Sequence, residues 1–337
     1  NNSLPMATGR VCLKGAALKQ SLYHPDRLLY PMKRVGERGE GKFERISWEE
    51  ALTTIAEKLN ETKEKYGAKS ALFYVGHPKW FRPQLTDLAN EFGTPNVGTE
   101  SSTCAYALGM ANASIFGKNI FMMMPDLRNC KVLCVWGVNS LYSNSVTAGG
   151  GFINAVKRGV KLIVVDPRKS ETAMNADYWY GLKWRSDLLL LYTIANQLIE
   201  KDYLDRKFIE EHTEKFEDFK EFVKAYTLER GVEGTGLSAE QILEFVELIH
   251  AGKKVSFWWT MGVNQGYEAV RTAQAIINIA LMTGNIGKPG TGANSITGQC
   301  NAMASRAYSN TAVFYGGGDF TNPARRARIA EVFGTDE

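Results

Sequence analysis

Two stretches in the middle of the chain constrain its fold more than anything else in it. Lys131-Val132-Leu133-Cys134-Val135-Trp136-Gly137-Val138-Asn139-Ser140 and Lys161-Leu162-Ile163-Val164-Val165-Asp166-Pro167-Arg168-Lys169-Ser170 each run through a short apolar segment rich in β-branched residues, then change abruptly to small and polar ones. Apolar runs of this length without alternation belong to strands buried on both faces, as in a parallel sheet covered by helices. The polar residues then gather at the carboxyl ends of neighbouring strands, where open α/β sheets hold ligands in a crevice. Gly137 lets a backbone approach a phosphate, and an acid after a strand, such as Asp166, can accept hydrogen bonds from a ribose or a purine. A nucleotide-bearing ligand is the first expectation. The plain alternative is two core strands with solvated loops.

With 337 residues, 44% of them hydrophobic and 23% charged, the chain has the composition of a soluble globular protein with room for two domains. Its formal net charge of +4 is too small and dispersed to argue for nucleic acid. No apolar stretch is long enough to span a bilayer, so direct membrane insertion is not expected. Cys12, Cys104, Cys130, Cys134 and Cys300 are an odd number in a long chain, which argues against a disulfide scaffold and for reduced thiols or metal ligands. The start, Asn1-Asn2-Ser3-Leu4-Pro5, has neither an initiator Met nor signal-peptide character. A chain already cut, or a piece beginning mid-protein, is expected, and the cytoplasm is the expected compartment.

Along the chain, Cys12 sits between glycines and beside Lys14, a setting that lowers a thiol pKa; a small buried residue is the simpler reading. Gly36 to Lys42 nearly spells a phosphate loop, but Phe43 stands where Ser or Thr is required. Ser47 and Glu50 form a capping box for a helix to Tyr66 that Gly67 stops, and Ser70 to Val75 reads as a strand. A loop then leads to Cys104, which lies just ahead of a small-residue helix whose dipole favours thiolate. Cys130 and Cys134, about 13 Å apart at the ordinary strand rise, are too distant for a disulfide or a shared metal and read as core. Helices are predicted over Leu188 to Glu200, over Phe208 to Tyr226 with an aromatic stripe, and from a Ser238/Gln241 capping box to Ala251. A strand at Val255 to Trp259 leads into Thr260-Met261-Gly262-Val263-Asn264-Gln265-Gly266 and a helix from Tyr267 to Met282. The glycine-rich stretch Thr283 to Ser295 is expected to wrap a ligand, and Gly298 to Arg306 continues in the same style.

In order and spacing these motifs resemble the molybdopterin oxidoreductases, the superfamily of dimethyl sulfoxide reductase, formate dehydrogenase and bacterial nitrate reductases. The resemblance runs from Gly9 to Gly334. It rests on Gly9 to Gly15 with Pro25-Asp26-Arg27-Leu28, Ile46-Ser47-Trp48-Glu49-Glu50-Ala51, Trp136-Gly137-Val138-Asn139, Val165-Asp166-Pro167-Arg168, Trp259 to Gln265 and Thr283-Gly284-Asn285-Ile286-Gly287. It implies an α/β fold, with a Rossmann-like parallel-sheet domain over residues 105–267, helices on both faces, inserted in a second α/β domain of residues 43–104 and 268–337. Residues 1–42 would be a remnant of an iron-sulfur domain.

The resemblance also implies bis-molybdopterin guanine dinucleotide holding molybdenum or tungsten. Gly137, Asn139, Asp166, Arg168, Asp187, Gly262, Asn264 and Gln265 match positions that contact the dinucleotides. Cys104 matches the protein ligand of the metal, a task that suits a soft thiolate. Cys12 matches the last of four cysteines around a [4Fe-4S] cluster; the first three are absent, so the chain looks like a central fragment of a catalytic subunit. Lys14 matches a lysine between cluster and pterin, on the path to an electron-donor or electron-acceptor protein. Gly298-Gln299-Cys300-Asn301-Ala302-Met303 with Arg306 resembles nitrate reductases, although Cys300 replaces a Pro, and an Arg facing the metal suits a small oxyanion substrate. Ala105 after Cys104 counts against formate, while Ser101-Ser102-Thr103-Cys104 is similar to reductases of sulfur oxyanions or arsenate. A molybdenum-free electron-transfer scaffold like the large subunit of complex I is the alternative class.

Overall fold

The computed structural model describes residues 11–76, 81–117, 125–297 and 322–334. Two compact units divide the chain, one of residues 1–100 with 308–337 and one of residues 101–307.

In the first unit, short helices α1 (Leu13–Ala16) and α2 (Leu18–Leu22) precede an antiparallel hairpin of β1 (Met32–Arg34) and β2 (Phe43–Arg45). The rejected phosphate loop is the turn of this hairpin, where Gly39 and Gly41 take φ of +101° and +70°. Helix α3 (Trp48–Tyr66) begins where predicted, with Ser47 Oγ accepting from the Glu50 N–H at 3.0 Å. The Glu50 carboxylate receives the Lys33 ammonium at 3.0 Å. Strand β3 (Phe73–Val75) is shorter than expected, because residues 68–70 form a 3₁₀ turn. It pairs in parallel with β4 (Val97–Thr99), and α4 (Arg82–Phe92) lies between the two in sequence. The helix Pro323–Phe333 belongs to the same unit.

The second unit opens with α5 (Tyr106–Phe116) and contains a five-stranded parallel sheet. In chain order come β5 (Val132–Trp136), α6 (Ser140–Ser143), α7 (Gly150–Lys157), β6 (Lys161–Val165) and β7 (Tyr178–Tyr180). Next are α8 (Asp187–Glu200), α9 (Arg206–His212), α10 (Phe216–Val223), α11 (Leu228–Thr235) and α12 (Ala239–Gly252). The unit ends with β8 (Val255–Trp259), α13 (Met261–Asn264), α14 (Ala269–Met282) and β9 (Gly292–Ser295). The strand order is β7-β6-β5-β8-β9, and Trp136 stands in register with Val165 on one side and Trp259 on the other.

Successive residues of each strand enter opposite cores, as the strand period of two requires. Cys134, Trp136, Ile163, Val165, Phe257 and Trp259 face one apolar cluster that also takes residues of α8, α12 and α14. Leu133, Val135, Leu162, Val164 and Trp258 face the other, against Phe152 and Ala155 of α7. Helices on both sides explain the unbroken apolar runs in β5 and β6, and the parallel Rossmann-like architecture is the one expected. Cys130 and Cys134 are core residues, and burial pushes the Cys130 thiol up to about 11.

Two expectations differ in detail. The helix predicted over Phe208 to Tyr226 is split into α9 and α10, with Lys215 in the left-handed region at φ +58° between them. Phe216, Phe219 and Tyr226 of its aromatic stripe pack against the core, and Tyr192 meets Phe219, Tyr226 and the more exposed Phe222. The units divide at residues 100/101 and 307/308, whereas the sequence suggested 104/105 and 267/268. The physical reason lies in α14 and β9: α14 is buried in the sheet's core cluster, and β9 extends the sheet by pairing with β8. No helix among the described residues is long and apolar enough to cross a membrane.

Candidate functional site

The chain leaves β5 towards β6 and β7, then returns to β8 on the opposite side of β5. Loops that part in this way leave a crevice beyond the carboxyl ends of the strands. A cavity of about 570 Å³ opens there.

Its floor is made by two glycines. A Cβ on Gly137 would lie 2.7 Å from the Gly262 Cα, and one on Gly262 would lie 2.7 Å from the Gly137 Cα. Gly137 also takes φ +57°, a region costly for residues with a Cβ. Its N–H donates to Val165 O at 2.9 Å, and its carbonyl accepts from Thr260 Oγ1 at 2.8 Å. The amide is therefore committed to the sheet, and what the two glycines contribute is close backbone contact between the loops that follow β5 and β8.

Asp187 and Asp166 stand at the walls. The Trp136 indole, buried at the end of β5, donates to Asp187 Oδ1 at 2.9 Å. An aromatic with a polar tip thus carries the order of the core out to the site. Burial raises the Asp187 pKa above the usual carboxylate range, the indole bond opposes this, and the nearby Asp166 charge adds to it. Burial raises Asp166 as well, against a backbone bond from Arg168 N to Oδ1 at 2.8 Å. Arg168 itself is an exposed wall residue, 3.7 Å from Glu171, and Gln265 lines the same cavity.

The two asparagines predicted to meet the ligand are tied up inside the protein. Asn139 Nδ2 donates to Glu171 at 2.6 Å, while Oδ1 accepts from Thr172 N and Oγ1 at 3.2 and 3.0 Å. Asn264 Oδ1 accepts from Trp259 Nε1 at 3.0 Å, and Nδ2 donates to Ser295 Oγ at 3.1 Å. The two Gly-Val-Asn segments therefore act alike. The valine is buried and the asparagine fastens its loop to the neighbouring strand end.

The glycine-rich stretch from Thr283 lies at the other end of the sheet. Asn285 Oδ1 accepts from Val255 N, the first amide of β8, at 2.9 Å, and its carbonyl accepts from Gly292 N at 2.9 Å. Gly290 is needed for packing, since a Cβ there would lie 2.4 Å from the Asn129 carbonyl. This stretch organises strand starts and does not wrap the crevice.

Cys104 is half-buried, its N–H bonded to Ser101 O at 3.2 Å just ahead of α5. Its neighbours Thr103 and Tyr106 line a second cavity of about 670 Å³, whose wall from Gln265 to Glu268 is shared with the first. The metal-ligand candidate thus stands beside the space adjoining the crevice. In the first unit, Cys12 precedes α1, and backbone N–H groups of Gly15 and Lys14 hold its thiol below the usual range. Lys14 is exposed. No three of His, Cys, Asp and Glu come together as a metal site among the described residues. Arg306 and Cys300 lie outside the described residues.

Lys183, Trp184 and Arg185 line the crevice without having been foreseen, as does Tyr267. Trp184 and Tyr267 are exposed large aromatics at its edge. Nothing in the sequence marks them except nearness to Asp187 and Gln265.

Known proteins align with this geometry. The chain is 32% identical to formate dehydrogenase H of Escherichia coli over 339 residues, covering 97% of this chain and 47% of the relative. It is 30% identical to nitrate reductase of Synechocystis over 347 residues, covering 98% and 46%. The chain thus spans about half the length of these curated relatives. Acetylene hydratase from Pelobacter acetylenicus superposes with a TM-score of 0.71 at 29% identity, covering 83% of this chain and 38% of that one. The family model of the molybdopterin oxidoreductases matches residues 27–332, the span that contains both the crevice and its neighbouring cysteine, and the chain belongs to that family.

Proposed function

We propose that this chain is the cofactor-holding part of a catalytic subunit carrying bis-molybdopterin guanine dinucleotide with molybdenum or tungsten, and that the whole protein reduces a small oxyanion in the manner of a nitrate reductase. The observation that carries the reading is the crevice beyond the strand ends, lined by Gly137, Gly262 and the Asp187 carboxylate, one oxygen of which is held by Trp136. Guanine presents two adjacent N–H donors, a complement to a carboxylate that adenine lacks. The strand ends fit this group: the cavity of about 570 Å³ has room for a nucleotide, and the indole fixes the carboxylate before it arrives.

When bound, the metal supplies a two-electron redox step, while the protein contributes position and electrostatics. Cys104 would ligate the metal, Arg306 would receive the oxyanion, and Asp166, Arg168 and Gln265 would line the dinucleotide. Asn139 and Asn264 would act through the loops they fasten. Cys12 would supply one thiolate of a [4Fe-4S] cluster, with Lys14 leading towards an electron-donor or electron-acceptor protein. Ala105 after Cys104 and the Arg306 segment favour nitrate over formate. The 32% identity to a formate dehydrogenase favours the second reading, a formate dehydrogenase.

Metal analysis of the full-length protein tests the class: stoichiometric molybdenum or tungsten supports the enzyme, and consistent absence from matured protein favours an electron-transfer scaffold. A reduced-dye assay with nitrate, thiosulfate and arsenate, and the reverse assay with formate, tests the substrate. Nitrate turnover is the expected result, and turnover of formate alone would replace it with the second reading.

A further inference from the structure

Between Leu182 and the start of α8 the chain makes a tight turn. Ser186 N–H donates to Lys183 O at 3.2 Å, and Ser186 Oγ donates to the same carbonyl at 2.6 Å. In a four-residue turn from Lys183 to Ser186, Arg185 occupies the third position, and its φ is +67°. That position with positive φ is ordinarily filled by glycine or asparagine. A long cationic side chain here works against the backbone, and of the four non-glycine residues at positive φ among the described residues, Arg185, Asp202, Lys215 and Lys253, Arg185 is the one that lines the crevice.

The charges around the crevice show what use that side chain has. Three acids, Asp166, Asp187 and Glu268, face three bases, Arg168, Lys183 and Arg185. Arg168 lies 3.7 Å from Glu171, Lys183 Nζ donates to Glu233 O at 2.9 Å, and Glu268 is paired with Arg271 at 3.3 Å. Among the described residues Arg185 has no hydrogen bond or ion pair, and its side chain is exposed at the crevice. A phosphorylated ligand entering beside two carboxylates needs a cation not already engaged.

We propose that Arg185 is the phosphate-recognising residue of this crevice, taking an anionic oxygen of the guanine nucleotide whose base meets Asp187. The inference rests on the nucleotide reading of the crevice given above. It adds that the turn keeps a conformation unfavourable to arginine in order to aim a guanidinium, the side chain best shaped for phosphate oxygens.

The test uses the purified full chain with GDP, guanosine and ADP as probes, read by titration calorimetry, with urea denaturation alongside. Arg185→Gly removes the charge and relieves the turn. It should weaken GDP about 10- to 100-fold, the range of a charge-assisted hydrogen bond, leave guanosine nearly unchanged and raise the urea midpoint. Arg185→Gln should lose GDP affinity to the same extent with no gain in stability, and Arg185→Lys should retain most of the preference for GDP over guanosine. Equal weakening of GDP and guanosine, unchanged GDP affinity in the glutamine variant, or a lowered urea midpoint in the glycine variant would overturn the assignment. Unmodified chain that binds GDP no better than ADP would instead overturn the guanine reading of the crevice, and this assignment with it.

Discussion

Three glycine-to-alanine variants separate what the crevice floor requires. Gly159 takes φ +88° with nothing within 4 Å of a built Cβ, so Gly159→Ala introduces only the left-handed penalty. That penalty, about 1–2 kcal/mol, is partly offset by a stiffer unfolded chain worth roughly 0.4–1 kcal/mol, leaving a net cost of about 1 kcal/mol. Gly262 has no positive φ, but its Cβ would lie 2.7 Å from the Gly137 Cα and 3.0 Å from the Gly137 carbonyl oxygen. Both neighbours are backbone and cannot turn aside. Gly262→Ala should therefore cost about 1–3 kcal/mol, the usual range for overpacking. Gly137→Ala meets both problems, with φ +57° and a 2.7 Å approach to the Gly262 Cα, and should cost about the sum, some 2–4 kcal/mol. Urea denaturation with unchanged m-values measures all three. Costs for Gly137→Ala and Gly262→Ala no greater than that of Gly159→Ala would mean that the two loops are not in backbone contact.

Asp187→Asn should separate binding from stability. Because burial raises the folded pKa of Asp187, the folded chain holds this proton more tightly than the unfolded chain. Stability is therefore greatest below the ordinary Asp range and falls as pH rises through the window up to the raised value. The asparagine variant should lose that part of the slope and be the more stable form at neutral pH, while binding GDP about 10- to 100-fold more weakly; a pH profile parallel to that of the unmodified chain would count against the assignment. Asn285→Ala strands the Val255 amide inside the protein and should cost about 1–3 kcal/mol with no change in GDP affinity, since Asn285 sits at the end of the sheet where β8 starts, away from the crevice. Lost nucleotide binding at full stability would return this stretch to the crevice. Cys104→Ala in the full-length protein should abolish turnover and leave the circular dichroism spectrum intact, and retained turnover would remove Cys104 as the metal ligand.

The strands were legible because a sheet covered on both faces demands unbroken apolar runs, and β5, β6 and β8 have them. Helix starts at Ser47 and Ser238 were legible because capping chemistry is local. The role of an amide just past a strand was not. Asn139 and Asn264 look the same in sequence whether they face a ligand or fasten a loop, and only the positions of Thr172, Trp259 and Ser295 decide it. Glycine density around Thr283 suggests a ligand-wrapping loop, and the sequence gives no sign that it serves packing at the strand starts instead. Arg185 is silent in the sequence because a glycine-type turn with no glycine in it leaves no mark there.

The fastening of the two Gly-Val-Asn loops to opposite sides of the sheet also bears on the entropy of ligand capture. The backbone of both loops is held by their own hydrogen bonds, so a nucleotide entering the crevice has to order only exposed side chains such as Arg185. The vacant and filled forms should then nearly coincide in backbone, with selectivity expressed as acceptance or refusal by a standing mould. Loosening Asn139 or Asn264 would transfer the cost of ordering its loop to the ligand and slow its capture, even though neither residue lines the crevice itself.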